Sequence, residues 1–395
     1  MAASFALTRR PSRVLFPTLC LMALVGQVGS FLYLPALPTI SLEFVTDEPA
    51  VQRTVVAFFL GSLVGFALFG PLSDRFGHTL MLAAAGVLFV AGCVGSALAP
   101  ELGALVAARF VQGVGSVAGM ITARTVIRDA FPPGEAVRLV SLVSAANAAS
   151  VAASPILGAF LLTMISWRAG FWVNAAFATF VTVTAVIVLP RSIRRPVADT
   201  LPGIRQIVAS PTWRACLLIT GGTTSAFMVM MAASPFVFIT ALGTSPITYS
   251  WIMAIVLGGY GVVAVRTGRM AGRLGAKQAM KLAVGPMLFG AVAVTLVAFL
   301  APGMLALTTA MMLMIGSMGV LVPSAHLTML APFPNLAGTA ACIGMLVSTS
   351  CGALAVWVYA ETLAGSIAGF GAAIAALTLL SAIGWLLLPS TEAYR

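Results

Sequence analysis

A water-loving surface is what this sequence lacks. Only 8% of its 395 residues are charged, where a soluble domain carries about 25%. Its 21 basic and 10 acidic side chains are too few to clothe a soluble protein of this length. Mean hydropathy is +1.07. The solvent is therefore a lipid bilayer. Also missing are the short alternating segments of a β-barrel. The apolar runs are long, continuous and rich in Ala, Leu and Gly. Backbone polar groups in lipid must be satisfied within the segment, so each run of roughly 20 residues reads as a spanning helix.

Other absences exclude chemistry. Histidine occurs twice, at the well-separated His78 and His326. All ten acidic residues fall in tails, loops or span ends. Intramembrane hydrolysis or metal catalysis needs paired Asp, a HExxH-like cluster or a Ser-His arrangement, so an enzyme is a remote alternative and no metal is expected. Without a nucleotide-binding loop, no ATP or other cofactor is expected either. The five cysteines (Cys20, Cys93, Cys216, Cys342, Cys351) lie in apolar runs without zinc-site or CxxC spacing. They read as small buried hydrophobes. Arg9, Arg10 and Arg13 precede an apolar run in the manner of a signal peptide. That run continues through LYLPALP and many more follow, so it reads as an uncleaved first helix.

What is present is twelve apolar runs, at 14–36, 50–69, 79–99, 102–126, 136–163, 167–190, 213–238, 247–268, 279–300, 303–328, 337–360 and 364–388. Connections are short except 39–49 and the basic, proline-containing 191–212. The latter divides a six-helix half, 1–190, from a second, 213–395. Charge supports this register. Basic residues concentrate in cytoplasmic loops. With both termini inside the cell, 18 of the 21 fall on that side, leaving Arg53 and Arg168 outside and Arg109 within a span. The net charge of +11 thus expresses topology and contact with anionic headgroups, not nucleic-acid binding. An internal repeat agrees. GPLSDRFGH (70–78) and GRMAGRLGA (268–276) follow the second and eighth spans, with Gly70, Arg75 and Gly77 matching Gly268, Arg273 and Gly275 at an offset of 198. Paired six-span halves are one transporter layout.

The stretch GPLSDRFGH resembles a motif of the major facilitator superfamily: a glycine, then Asp-Arg, then Gly-Arg-Lys between helices 2 and 3. ARFVQGVGS (108–116) is similar to the family's fourth-helix motif, and ARTVIRD (123–129) to the drug-exporter ending of that helix. LVGQVGSFLYLPALP (24–38) and PFPNLAGTA (332–340) are similar to segments of the Bcr/CflA and multidrug resistance protein D group. The resemblance implies an all-α membrane protein of twelve helices in two six-helix bundles. It also implies a proton-coupled drug antiporter of the inner membrane, working as a monomer on small molecules.

The first motif then reads as a gate. Glycines at 70 and 77 permit a tight turn. Asp74 can dock at the positive start of the eleventh helix, near Asn335, while Arg75, Arg128 and Asp129 complete a charge cluster. A solvated turn without a gating role is the other reading. Where the family has Arg-Lys this chain has His78 and Thr79, so a looser latch, or one modulated by cytoplasmic pH, is expected unless the change is drift.

For the cavity, the resemblance places Arg109 at the centre, where it is implicated in proton coupling. An Arg buried among carbonyls of the first two helices is the alternative. Gln27, Gln112, Asn147 and Asn174 are polar cavity candidates that could equally be interhelical glue. Tyr33 is a further candidate, or an interfacial aromatic. His326 is the only histidine within a span, a participant in coupling or substrate contact, or a structural residue. A cavity without a carboxylate favours neutral or anionic amphipaths, such as phenicols, uncouplers or carboxylate siderophores, over cations. Direction is read from the fifth helix. Ser141, Ser150, Ser154, Pro155 and Gly158 occupy the positions of the family's antiporter motif, with serine replacing glycine three times. Small residues and a proline kink suit an exporter that blocks proton leak. An importer or symporter, or an exporter dedicated to one metabolite, stays open.

Overall fold

A computed structural model describes residues 14–189, 201–333 and 336–389. Every regular element among them is helical. Among the described residues twelve helices are long and apolar enough to cross a membrane: Leu15–Glu43, Glu48–Phe69, His78–Ala97, Leu102–Ile127, Gly134–Met164, Trp167–Val188, Pro211–Ala241, Pro246–Val263, Ala276–Leu300, Met304–Leu330, Gly338–Thr362 and Ile367–Leu386. We refer to them as the first to twelfth spans. The twelve-span, all-α architecture expected from composition is the one observed.

The first span departs from its predicted end. A helix over Leu15–Phe31 gives way to a 3-10 turn at Leu34–Ala36, and a second helix, Leu37–Glu43, follows. Pro35 and Pro38 cannot donate to an ongoing helix, but Pro38 falls in the first turn of a new one, where no donor is needed. The connection predicted at 39–49 shrinks to 44–47. The stretch 191–212 also contains structure, a helix at Leu201–Ala209. Its Ile207 is buried in a cluster with Trp213, Cys216, Met329, Phe333 and Ala340.

The chain forms two compact units. One comprises Met1–Ala36 with Ala57–Val197, the other Leu37–Val56 with Ala198–Arg395. Within the first unit the first span packs on the fourth, fifth and sixth, and the third packs on the fourth and sixth. Within the second, the seventh packs on the tenth, eleventh and twelfth, and the ninth on the tenth and twelfth. The pairings correspond when six is added to each span. The backbone repeats too. Helices Glu48–Phe76 and Pro246–Leu274 are each 29 residues long. Each ends at a glycine in the left-handed region, Gly77 (φ 92) and Gly275 (φ 83). Only glycine enters that region without strain, which is why the motif repeats its glycine.

Close approach organises the first unit around the fourth span. A Cβ added at Gly113 would lie 2.1 Å from the Phe58 carbonyl oxygen of the second span. At Gly115 it would lie 2.3 Å from Ala85 O of the third, and at Gly119 2.2 Å from Met22 O of the first. Three glycines thus seat three neighbours on one helix. In lipid, where apolar surface gives no net drive to association, such contact supplies the packing energy.

This contrast is measurable. Gly221, in the seventh span, has open space where a Cβ would be. Gly221→Ala is expected to raise the melting temperature slightly, since Ala favours helix by about 0.8–1 kcal/mol. Gly113→Ala is expected to lower it by several degrees in a thermal size-exclusion assay. Equal effects at the two sites would remove the packing argument.

Candidate functional site

Arg109 lies seven residues into the fourth span, about 10 Å from its start at 1.5 Å per residue. It is 1% exposed. Its Nη1 donates to the Gly29 carbonyl of the first span at 3.1 Å, and also to Gln112 Oε1 on its own helix. Aromatic rings enclose the guanidinium. Tyr33 lies 4.0 Å from it, Phe58 4.3 Å and Phe171 5.8 Å, ring centroid to Cζ. Those rings come from the first, second and sixth spans. Among the described residues no carboxylate pairs with it.

The energetics explain the shell. An unpaired ion in a low-dielectric interior costs several kcal/mol. A desolvated cation over an aromatic face recovers about 2 kcal/mol, and a hydrogen bond to a charged group about 1.5–3 kcal/mol. Arg suits this site because its planar group stacks and forks at once.

The other candidates separate. Gln112 belongs to the Arg109 group: it is fully buried, and its Nε2 donates to Cys93 Sγ at 3.0 Å. Asn174 is 1% exposed with Oδ1 unpaired. Three residues after Phe171, it shares that ring's helix face. Asn147 is half-buried, also with Oδ1 unpaired. Gln27 is half-buried in the first span. His326, half-buried in the tenth, donates Nδ1–H to the Val322 carbonyl at 2.9 Å. That bond requires a proton on Nδ1. It belongs to the second unit, whereas Arg109, Gln112 and the two asparagines belong to the first.

Tyr33, read from sequence as a cavity polar residue or an interfacial aromatic, is 2% exposed and stacks on Arg109. Phe58 and Phe171 escaped the sequence reading. Among the chain's 23 phenylalanines no local signal marks these two.

In the first motif, Gly77 makes the turn, donating N–H to Ser73 O at 2.9 Å. His78 opens the third span and is half-buried. Arg75 is exposed, 5.3 Å from the Phe76 ring centroid. Gly70, Asp74, Arg128 and Asp129 lie in helices, but their side chains lie outside the described residues, as does Asn335 entirely. The fifth helix, Pro133–Met164, carries Pro155 inside it. Ser154 Oγ donates to the Ser150 carbonyl at 2.6 Å, and Ser150 Oγ to that of Asn147 at 2.8 Å. A Cβ at Gly158 would lie 1.7 Å from Leu32 O, so the first and fifth spans touch backbone to backbone at Leu32.

A sequence model of the Major Facilitator Superfamily matches residues 19–356. The chain belongs to the Major Facilitator Superfamily. That places it among transporters, not enzymes, in a multi-pass membrane fold. It is 31% identical over 216 residues to an uncharacterized MFS-type transporter of Mycobacterium tuberculosis, covering 54% of this chain and only 31% of that protein's length. It is 26% identical to multidrug resistance protein D of Escherichia coli, over 59% of each chain. To a chloramphenicol resistance protein of Pseudomonas aeruginosa it is 25% identical, over 68% of this chain and 65% of the other. Among solved structures, a D-xylose-proton symporter superposes with a TM-score of 0.78 at 18% identity, over 96% of this chain and 98% of that one. At that identity the likeness is one of fold.

Within this superfamily member the aromatic shell generates a stability prediction. Arg109→Lys keeps the charge and loses both the planar stack and the fork. We expect a loss of about 1–3 kcal/mol, read as a lower melting temperature in detergent. An unchanged value would mean that water, not protein, solvates the cation.

Proposed function

We propose that this protein is a proton-coupled antiporter. It exports drugs or amphipathic small molecules from the cell by alternating access, with neutral or anionic substrates favoured. The observation that carries the charge preference is Arg109, a permanent cation deep in its span. The described acids of the spans, Glu43, Glu48, Glu135 and Glu361, sit near span ends. A lipophilic cation would meet no buried counter-charge. Resemblance to a chloramphenicol resistance protein supports a neutral, amphipathic substrate, and resemblance to multidrug resistance protein D supports export.

The protein resides in the cytoplasmic membrane with both termini inside, a reading supported by the bias of its basic residues. The proton gradient supplies the energy, with no further cofactor. His326 is the group within the second unit's spans that we assign to proton exchange, since an imidazole can gain and lose a proton near neutral pH. Arg109 keeps its proton and acts by electrostatic bias on a bound substrate. The proline-bearing fifth span, closed on the first at Gly158, is the seal against leak.

Inside-out and right-side-out vesicles with an imposed pH gradient test this reading. Uptake of a phenicol into inside-out vesicles, driven by an acidic lumen, is expected, with lipophilic cations moved roughly 10-fold less. Preferential transport of cations would overturn the charge argument, and inward proton symport would overturn export. His326→Gln is expected to flatten the pH dependence of transport while leaving the protein folded. An unchanged profile would assign the proton elsewhere.

A further inference from the structure

The face that carries the connection between the first two spans holds a carboxylate that transport by Arg109 and His326 does not use. Glu48, the first residue of the second span, is half-buried. Its Oε2 accepts the Gly365 backbone N–H at 3.1 Å, and its Oε1 accepts Gln52 Nε2 at 2.8 Å. Gly365 lies in the connection between the eleventh and twelfth spans and adopts φ 84. Five residues along the second span, Arg53 pairs with Glu361 at 2.9 Å. All these residues belong to the second unit, which takes in Leu37–Val56.

Gln52 provides a second observation. It is fully buried, and its Oε1 has no hydrogen-bond partner. A buried unpaired amide oxygen is unusual. It sits on the residue that already bonds to Glu48. If Glu48 took up a proton, that O–H would need an acceptor, and rotation of the Gln52 amide would present one.

We propose that Glu48 is a proton-binding latch: ionised, it holds the start of the second span to the connection at Gly365, and protonated, it turns to Gln52 and loosens that hold. A hydrogen bond to a carboxylate is roughly twice as strong as one to a neutral group, so the proton weakens the Gly365 bond. The groups facing Glu48 are few. On its own helix stand Gln52 and Arg53, with exposed Asp47 just before it, its Oδ1 accepting from Ala50 N. Glu43 ends the preceding helix. The eleventh span contributes Tyr359, buried and close enough to feel the Glu48 charge, and Glu361, which Arg53 neutralises. The connection 363–366 carries no ionisable side chain. Among the described residues no cation pairs with the carboxylate, so a proton would change its charge without first displacing an ion pair. On the antiporter reading, on which this role rests, that face meets the compartment from which protons enter, so loading a proton releases the side it came from.

Hydrogen exchange of the full-length protein in lipid nanodiscs tests the latch without any transport measurement. The peptide containing Gly365 is followed at about pH 8 and about pH 5.5, corrected for intrinsic exchange. Its protection is expected to fall roughly 5- to 10-fold at the lower pH, the effect of weakening one charge-assisted bond. E48Q, which mimics the protonated side chain, is expected to be weakly protected at both values. R53Q is expected to keep the wild-type fall. Should E48Q fail to fold, E48D, one methylene too short to reach Gly365, is expected to be weakly protected throughout. Flat protection in the wild type, or wild-type behaviour in E48Q or E48D, would overturn the latch. A normal fall in a protein that transports nothing would leave the latch intact and overturn the antiporter reading instead.

Discussion

A guanidinium that cannot lose its proton, held about 10 Å inside a lipid-embedded helix, must be solvated by protein. This requirement shapes the first unit. One carbonyl, one amide and three aromatic rings surround Arg109, drawn from the first, second, fourth and sixth spans. The rings reach the cation because the helices are close, and the helices are close because Gly113, Gly115 and Gly119 leave no Cβ between backbones. Charge and packing are therefore one arrangement. A larger residue at Gly113 would push Phe58 away from the guanidinium.

The second unit shows the same topology without the same chemistry. Its span pairings correspond to those of the first, and its turn at Gly275 copies that at Gly77. Its seventh span, rich in Met, Ala and hydroxyl residues, is mostly buried. Thr220 and Ser348 share a hydrogen bond at 3.1 Å, and Ser381 Oγ donates to Ile219 O at 3.1 Å. Close glycine contacts join helices there too, as at Gly384 against Ala215 O, but these neutral hydrogen bonds accompany them where the first unit has a buried cation. The repeat preserves the scaffold, while the polar residues inside the two halves differ.

At the ends of the spans the polar groups behave differently. Arg53 and Glu361 are exposed and their ion pair is screened by water, so it adds little by itself. Glu48 is partly withdrawn from water and bonds to backbone across the connection at Gly365. A bond of that kind is stronger to a charged carboxylate than to a neutral acid.

Composition alone determined that the chain lies in lipid, because too few charges exist to face water. Length and apolar runs determined twelve helices, and the repeated glycine turn determined two related halves. These are local or cumulative properties, readable without knowing which helix meets which. Arg109 and Gln112 were legible as candidates because a polar residue in an apolar run stands out. Tyr33, Phe58, Phe171 and the Gly29 carbonyl were not, since an aromatic ring in a membrane helix looks the same whether it meets lipid or a cation. Glu48 was legible only as a span-end acid; its bond to a residue 317 positions away is created by packing. The continuation of the first span past Pro38 was likewise hidden, because a proline reads as an end until a new helix is seen to start on it. Sequence set the solvent and the periodicity. Tertiary structure alone decided which polar atoms meet, because helix rotation and crossing fix those distances.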